Sequence, residues 1–577
     1  MATVDTRDMA LEQAVPGRRS SHPRPYTAVT LLLIAVGIWL LAIPFLRDEG
    51  AGQYGLLATT GGQILLLSAS IGIAAFVVAV AADSVLSAGL AIGVVTVIER
   101  VTVTLITDVP VYTWTYKHIG VVDYMISDLS SRDVGIYGDW PGFFAAMAWF
   151  SSVSGLDPVD AAHWFTPVAE TLISLMAGAL ALSLGFNRRA AMIAAMLAQI
   201  LNWTGQDYYS PQATGLIMAL AILALLSYSK KQSTSGYISV PIFAALVATH
   251  QLTPFWVCIL TIALALLRQI RPQWLAVVYP AILAIYVLPR LKSIEHYGFF
   301  SGLNPLKNSA VVATGRGSNG REFTVLVERL LSASVWLLAA GCFIVIWRRH
   351  GAPWALGIMA FSSMLVLGGQ NYGGEAIIRV FLYSIAGCAV LLAIVAAWAF
   401  ELTKPILKVL VCGVTMLFLV GVGAAGMQGY YGGWSYITIE RTQLEQSRQL
   451  LASNDGPFVI GNLAPSAGWP NGSSAGYVRL ELQDPAYDAA LDGLRESLMH
   501  KELASPEDVE TLERAAPKEA ATRTLYIVLP RQAVAYGEYF GSFPPTFIPS
   551  LIERLSERPG WTRVVGDVNT VVFAYTA

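Results

Sequence analysis

Apolar residues in this chain fall in long runs, not in the spaced clusters of an amphipathic surface helix. Thirteen such runs, at roughly 29–46, 62–83, 85–106, 159–185, 190–203, 212–228, 237–251, 253–267, 274–289, 326–347, 353–369, 379–400 and 405–426, read as membrane-crossing helices. The runs at 190–203 and 253–267 are short for a full crossing, which predicts broken or tilted segments, or ends extended by polar residues that face a cavity.

After about Gln428 the pattern changes. A charged helical stretch from Glu440 to Gln449 is followed by strand-like Pro457–Gly461 and Thr524–Leu529, and Trp561–Tyr575 alternates like a hairpin with its turn near Asp567 to Asn569. The predicted fold is therefore mainly α: a polytopic bundle of about 13 transmembrane helices over 29–427, preceded by a tail, 1–28, and followed by a C-terminal extracytoplasmic α/β domain, 428–577. Outer loops are expected at 107–158 and 290–325.

Basic residues orient the threading, because Lys and Arg are retained on the cytoplasmic side of short loops. They fall on alternate connections: the N-terminal tail, Arg188-Arg189, Lys230-Lys231, Arg268 with Arg271, Arg348-Arg349, and Lys404 with Lys408. The chemically rich connections all share the other face, which predicts a site outside the cytoplasm and a multi-pass protein of the plasma (inner) membrane with its N-terminus cytoplasmic.

Composition agrees with this picture. The chain is 55% hydrophobic and 13% charged over 577 residues, with a mean hydropathy of +0.55. A formal charge of -2 argues against a nucleic-acid partner, which would leave a basic surplus. All four cysteines sit in apolar runs, so neither a disulfide framework nor a thiolate metal site is indicated.

Candidate chemistry concentrates in the first outer loop. Asp108 follows directly on an apolar run, a position suited to a base or metal ligand at the interface. Behind it come Trp114, Tyr116, Lys117, His118 and Asp123, then Asp139 and Trp140, whose Trp140-Pro141-Gly142 sequence opens a short interfacial helix. Aromatic-belt and solvated-acid roles compete for these residues. Three further polar turns lie on the same face: Asn202 to Gln212 with Asp207, Tyr208, Tyr209 and Gln212; His250 to Pro254; and Glu375 with Arg379. Such turns predict a shared cavity, in which an arginine fork suits a phosphate. Glu99-Arg100, inside an apolar run, must pair or face water and read as a structural ion pair.

Trp114 to Gly120, Tyr137 to Phe144, Tyr209 to Ala213, His250 to Pro254 and Glu375 to Arg379, taken in that order, resemble the motifs of multi-spanning GT-C-type glycosyltransferases, especially actinobacterial ones. The resemblance covers the membrane portion. It implies transfer of a sugar from a polyprenyl-phosphate donor to a glycan or lipid acceptor outside the cytoplasm. It places an acid of the first large outer loop as base or metal ligand, Asp108 first and Asp123 second. The donor phosphate would be held by Arg379, Lys117, His118 and His250, and the cavity lined by Trp114, Tyr116, Asp139, Trp140, Asp207, Tyr208, Tyr209, Gln212 and Glu375. A divalent metal (Mg, Mn or Ca) is compatible with Asp108, Asp123 and Asp139, but their spacing establishes no site. One departure is that the acid follows the third apolar run rather than the first.

No Walker A loop, dinucleotide-binding glycine fingerprint or Gly-x-Ser-x-Gly elbow occurs in a fitting context. The competing functions are a polysaccharide polymerase or ligase built on a large outer loop, and a transporter of lipid-linked substrates, which would carry internal repeats that the sequence lacks.

Overall fold

The computed structural model describes residues 25–48, 50–128, 134–292, 304, 317–368, 375–402, 404–454, 458–465, 467–483, 496–519 and 524–576. Asp133, Arg316, Gly373 and most of the expected loop 290–325 lie outside them.

Every apolar run predicted to cross the membrane is helical. In chain order the helices are α1 Pro25–Asp48, α2 Thr60–Ala81, α3 Val85–Ile106, α4 Thr113–Asp128, α5 Gly142–Ser154, α6 Pro158–Ser183, α7 Arg188–Leu201, α8 Pro211–Tyr228, α9 Thr234–Thr249 and α10 Thr253–Leu266. They continue with α11 Leu275–Val287, α12 Asn319–His350, α13 Trp354–Phe361, α14 Ala376–Phe400 and α15 Pro405–Tyr431. Among the described residues eight helices, α1, α2, α3, α6, α8, α12, α14 and α15, are long and apolar enough to cross a membrane. The remaining predicted crossings are shorter: α7, with 14 residues, is about 21 Å long at 1.5 Å per residue. Its alanine-rich surface lets neighbours approach closely, and a Cβ on Gly426 of α15 would stand 2.2 Å from the Ile200 carbonyl oxygen.

α14 occupies the centre, almost wholly buried among α7, α12 and α13. Its first turn carries Arg379, so that side chain enters the bundle from the end where the polar loops gather.

The two ends of the bundle carry different polar contacts. At one end Arg189 pairs with Asp83 at 3.0 Å, and Asn187 donates to Glu401 at 3.3 Å. At the other, the Gly320 amide donates to Gln53 at 3.1 Å and Gln428 donates to the Tyr54 carbonyl at 3.1 Å. The C-terminal residues sit on that second end.

They form α16 Arg441–Ala452, β1 Phe458–Asn462, α17 Ala475–Gln483, α18 Pro506–Glu519, β2 Thr524–Pro530, α19 Gln532–Phe540, α20 Phe547–Glu557, β3 Trp561–Gly566 and β4 Thr570–Thr576. The sheet order is β1-β2-β4-β3, with β1 parallel to β2 and the other pairs antiparallel. The hairpin turn forms where the sequence places it: the Asp567 carboxylate accepts from the Asn569 and Thr570 amides at 2.8 and 2.7 Å. Leu525, Ile527, Leu529 and Phe573 pack with α20 into a separate apolar core.

Candidate functional site

α3 is not a regular helix throughout. Residues Val97–Val101 form a π turn, which packs one extra residue into the helix. Glu99 and Arg100, on adjacent positions, are both buried. They do not pair with each other. Glu99 accepts from Gln199 of α7 at 3.0 Å. The Arg100 guanidinium meets Asp207 at 3.1 Å, donates to the Asn202 carbonyl at 2.7 Å and lies over the Tyr430 ring at 3.9 Å. Asn202 in turn donates to Glu170 of α6 at 2.7 Å. The ion pair expected of Glu99-Arg100 thus exists with a different acid, brought from the polar turn before α8.

That network walls a cavity of about 370 Å³ at the polar-loop end of the bundle. Its charged lining consists of Arg100, Asp207, Arg321 and Glu328, with His163 beside them. The rest is strongly aromatic: Tyr112, Trp203, Tyr208, Tyr209 and Tyr430 from the membrane part, and Tyr436, Tyr539 and Phe540 from the C-terminal part, which roofs it. Aromatic faces over a polar floor suit the alternating C–H and hydroxyl faces of a sugar ring.

A second cavity of about 120 Å³ adjoins it across Tyr208, which lines both. His118, Tyr137, Trp140, Gln212, His250 and Arg379 line the second one. α14 separates the two spaces at its first turn, since Ile378 faces the larger and Arg379 the smaller.

In the smaller cavity a single chain of hydrogen bonds has only one permitted direction. The Thr253 amide donates to His250 Nδ1 at 3.1 Å, so Nδ1 is an acceptor and the imidazole proton resides on Nε2. The Thr253 hydroxyl, 2.8 Å from the same Nδ1, must then also donate to it. Tyr383 donates to Thr253 at 2.9 Å, Gln212 Nε2 donates to Tyr383 at 3.3 Å, and Gln212 Oε1 accepts from Arg379 Nε at 3.3 Å. Arg379 also pairs with Glu375 at 3.0 Å. The chain ends on a His250 Nε2–H and a guanidinium fork held beside one cavity, two donors suited to one anion.

His118 has the opposite tautomer. Its Nδ1 lies 2.8 Å from the Tyr209 carbonyl oxygen, which can only accept, so Nδ1 carries the proton and Nε2 is an acceptor. Burial pushes its pKa down to about 4, against the pull of the Tyr209 carbonyl. At neutral pH His118 is uncharged and its free nitrogen cannot donate to a phosphate. It stacks parallel to Tyr208, with ring centroids 5.8 Å apart.

The polar turns expected to share a cavity therefore supply Trp140, Tyr208, Gln212, His250 and Arg379 to one space, and Asp207, Tyr208 and Tyr209 to the other. Several candidates go elsewhere. Asp108 is exposed and lies by a separate hollow with Arg47, Glu440 and Arg531. The Asp123 carboxylate accepts from the Ala475 amide at 2.8 Å, at the positive end of α17. Lys117 forms an ion pair with Glu481 of α17 rather than facing the cavity. Trp114 is 56% exposed, while Tyr116 is buried and donates to the Pro110 carbonyl at 2.6 Å. Asp139 offers its carbonyl to Tyr286 and Arg290 at 2.7 and 3.1 Å. Glu375 lines neither cavity but pairs with Arg379 and lies within electrostatic reach of Tyr112 and Tyr208.

Helical periodicity explains the split in α4. Lys117, Gly120 and Asp123 fall on one face, which meets the C-terminal domain, whereas Thr115 and His118 face the two cavities. Gly120 is required there, because a Cβ would stand 1.8 Å from the Gly472 carbonyl oxygen. Arg100, His163, Arg321, Glu328 and Tyr383 were not among the sequence candidates as site residues. Only Arg100 carried a signal, a charge within an apolar run.

The three loop aspartates, Asp108, Asp123 and Asp139, occupy three different surroundings and do not fit a shared metal. Among the described residues no group of three or more His, Cys, Asp or Glu side chains is placed to hold one.

Neither a protein-family model nor a curated protein sequence matches the chain. Solved structures do. The oligosaccharyltransferase of Archaeoglobus fulgidus, tethered to an acceptor peptide containing the NVT sequon, is similar with a TM-score of 0.46 and 12% identity, over 85% of this chain and 74% of that one. ArnT from Cupriavidus metallidurans bound to undecaprenyl phosphate is similar with a TM-score of 0.43 and 10% identity, over 96% of this chain and 99% of that one. The same protein in its apo state gives a TM-score of 0.43 and 12% identity, over 80% and 93%.

Proposed function

We propose that the chain is a membrane glycosyltransferase that moves a sugar from a polyprenyl-phosphate donor to a glycan or lipid acceptor. On the basic-loop pattern, the reaction takes place on the extracytoplasmic side of the plasma (inner) membrane, with the N-terminus cytoplasmic. The observation that carries the reading is the pair of cavities joined at Tyr208, one presenting fixed N–H donors and the other aromatic and acidic. Each of the five sequence motifs that resemble GT-C glycosyltransferases contributes to the wall of the smaller cavity, while the larger is lined mostly by residues outside them.

In this reading the donor phosphate sits against Arg379 and the Nε2–H of His250. Negative charge grows on that phosphate as the bond to the anomeric carbon breaks. Donors already locked by Gln212, Tyr383 and Thr253 meet it without reorganising. The sugar lies along Tyr208 and Tyr112, whose rings are 4.3 Å apart. The acceptor enters the larger cavity. Asp108, the expected base, is exposed and lines a separate hollow, and in this reading a group within the cavity takes the proton.

The test is transfer by the purified full chain in lipid nanodiscs, supplied with synthetic polyprenyl-phosphate pentoses and hexoses and a panel of methyl glycosides. Product from a polyprenyl-phosphate donor, with a raised donor KM in Arg379→Ala, is the expected result. Product from nucleotide sugars alone would overturn the reading.

A further inference from the structure

We propose that Glu328 of α12 is the catalytic base of this chain, the group that takes the proton from the acceptor hydroxyl; the assignment rests on the transferase reading above. Four acidic or basic side chains face the larger cavity: Arg100, Asp207, Arg321 and Glu328. Asp207 is consumed by Arg100 and has almost no exposed surface. Arg321 is cationic and lies over the Phe540 ring at 4.9 Å. Glu328 has no hydrogen bond or ion pair among the described residues, although it is a partly buried acid; Arg321 and Arg329 of the same helix act on it only at longer electrostatic range. Surrounding structure would normally satisfy such a group, and an acid kept unpaired beside a cavity is available to a ligand.

Its position is built rather than incidental. Arg321, Val325 and Glu328 all line the cavity at helical spacing, and one further turn along, Ser332 accepts from the Trp203 indole at 3.1 Å. Facing this stripe, α15 carries Gly429. A Cβ there would come within 3.2 Å of Glu328 Cγ and 2.9 Å of Trp203 Cβ, so the missing side chain makes the room that Glu328 and Trp203 share. Tyr436 and Tyr539, the aromatic roof, lie within electrostatic reach of Glu328. A sugar held under that roof would present its hydroxyls to the carboxylate.

The step balances without a further reagent. The acceptor O–H gives its proton to the Glu328 carboxylate as its oxygen bonds to the anomeric carbon. The anomeric C–O bond to phosphate breaks, and the polyprenyl phosphate leaves with that electron pair, held by Arg379 and His250.

Glu328→Gln keeps the shape and removes the basic oxygen. In nanodiscs, with synthetic polyprenyl-phosphate sugars and methyl glycosides, it is expected to lower kcat by roughly 100-fold or more while leaving donor KM unchanged. Glu328→Asp should recover part of kcat, and the acidic limb of the kcat/KM pH profile should vanish in Glu328→Gln. Wild-type kcat in Glu328→Gln overturns the assignment, as does loss of transfer in Asp108→Asn with Glu328→Gln still active. An arm independent of turnover uses dicyclohexylcarbodiimide, with modification of Glu328 followed by peptide mass. Methyl glycosides should slow that modification, and failure of every glycoside to do so also overturns the assignment. A wild-type chain that makes no product with any donor, while glycosides still protect Glu328, overturns the transferase reading instead.

Discussion

Arg100 on α3 and Asp207 in the turn before α8 close an ion pair at 3.1 Å with side chains only 2% and 1% exposed. They tie a membrane helix to the loop that supplies Tyr208 and Tyr209, so the pair positions the wall between the two cavities. Asp207→Ala removes the ion-pair partner of a buried guanidinium and is expected to destabilise the protein by about 3–5 kcal/mol. Thermal unfolding in detergent measures this. The double variant Arg100→Met with Asp207→Leu should melt closer to wild type than either single change, because it removes both charges together.

The relay from Arg379 to His250 passes through the Tyr383 hydroxyl. Tyr383→Phe leaves the Gln212 amide and the Thr253 hydroxyl each short of a partner and frees His250 to change orientation. Donor affinity should fall roughly tenfold, about the worth of one strong hydrogen bond. Titration of undecaprenyl phosphate against tryptophan fluorescence would show it, since Trp140 lines that cavity. Arg379→Lys should bind no better than Arg379→Ala within the same assay's error, as an ammonium lacks the planar fork. Full affinity in Arg379→Lys would mean that charge alone holds the phosphate.

Gly120 is where α4 touches the C-terminal domain. Gly120→Ala should force the Gly472 loop outward at a cost of about 1–3 kcal/mol, the usual range for overpacking. Hydrogen exchange is expected to rise across 471–481 while the transmembrane helices keep their protection. Unchanged exchange there would show that the contact is not held in solution.

His118 gives the protein a one-sided pH response. Its pKa in the fold is near 4 because burial disfavours the charged ring, against about 6.5 for an unfolded histidine. Above pH 6.5 both states are neutral and His118 adds no slope. Between about 6.5 and 4 the unfolded chain binds the proton first, so stability falls as pH drops through that window. His118→Gln should flatten this part of the curve of melting temperature against pH. An equally steep curve in the variant would assign the response to other groups.

Much of the architecture was legible because it follows from local patterns. Length and hydropathy mark each membrane helix without reference to any other residue. Alternation marks the strands: Pro457–Gly461 is observed as Phe458–Asn462, and Thr524–Leu529 as Thr524–Pro530. A charge that cannot be left bare in an apolar run announced Arg100. The convergence of the turns at Tyr208, Gln212, His250 and Arg379 was readable for a similar reason: polar and aromatic residues crowded one face of the threading.

Only the tertiary structure decided which polar residues of those turns look inward. Residues adjacent in a helix point about 100° apart, so Lys117 and His118 part company, one to Glu481 of the C-terminal domain and the other to Tyr208. Asp108 and Asp123 sit in a loop rich in chemistry, yet one ends exposed and the other at the start of α17. Glu328 had no mark in the sequence, because a single acid at the edge of an apolar run reads as an ordinary interfacial charge. Its meaning comes from α15 and the aromatic roof, elements far away in the chain that local patterning cannot place. Hydrophobic patterning thus marked the apolar helices and the end at which the polar turns gather, and side-chain direction within the packed bundle determined which residues line the two cavities.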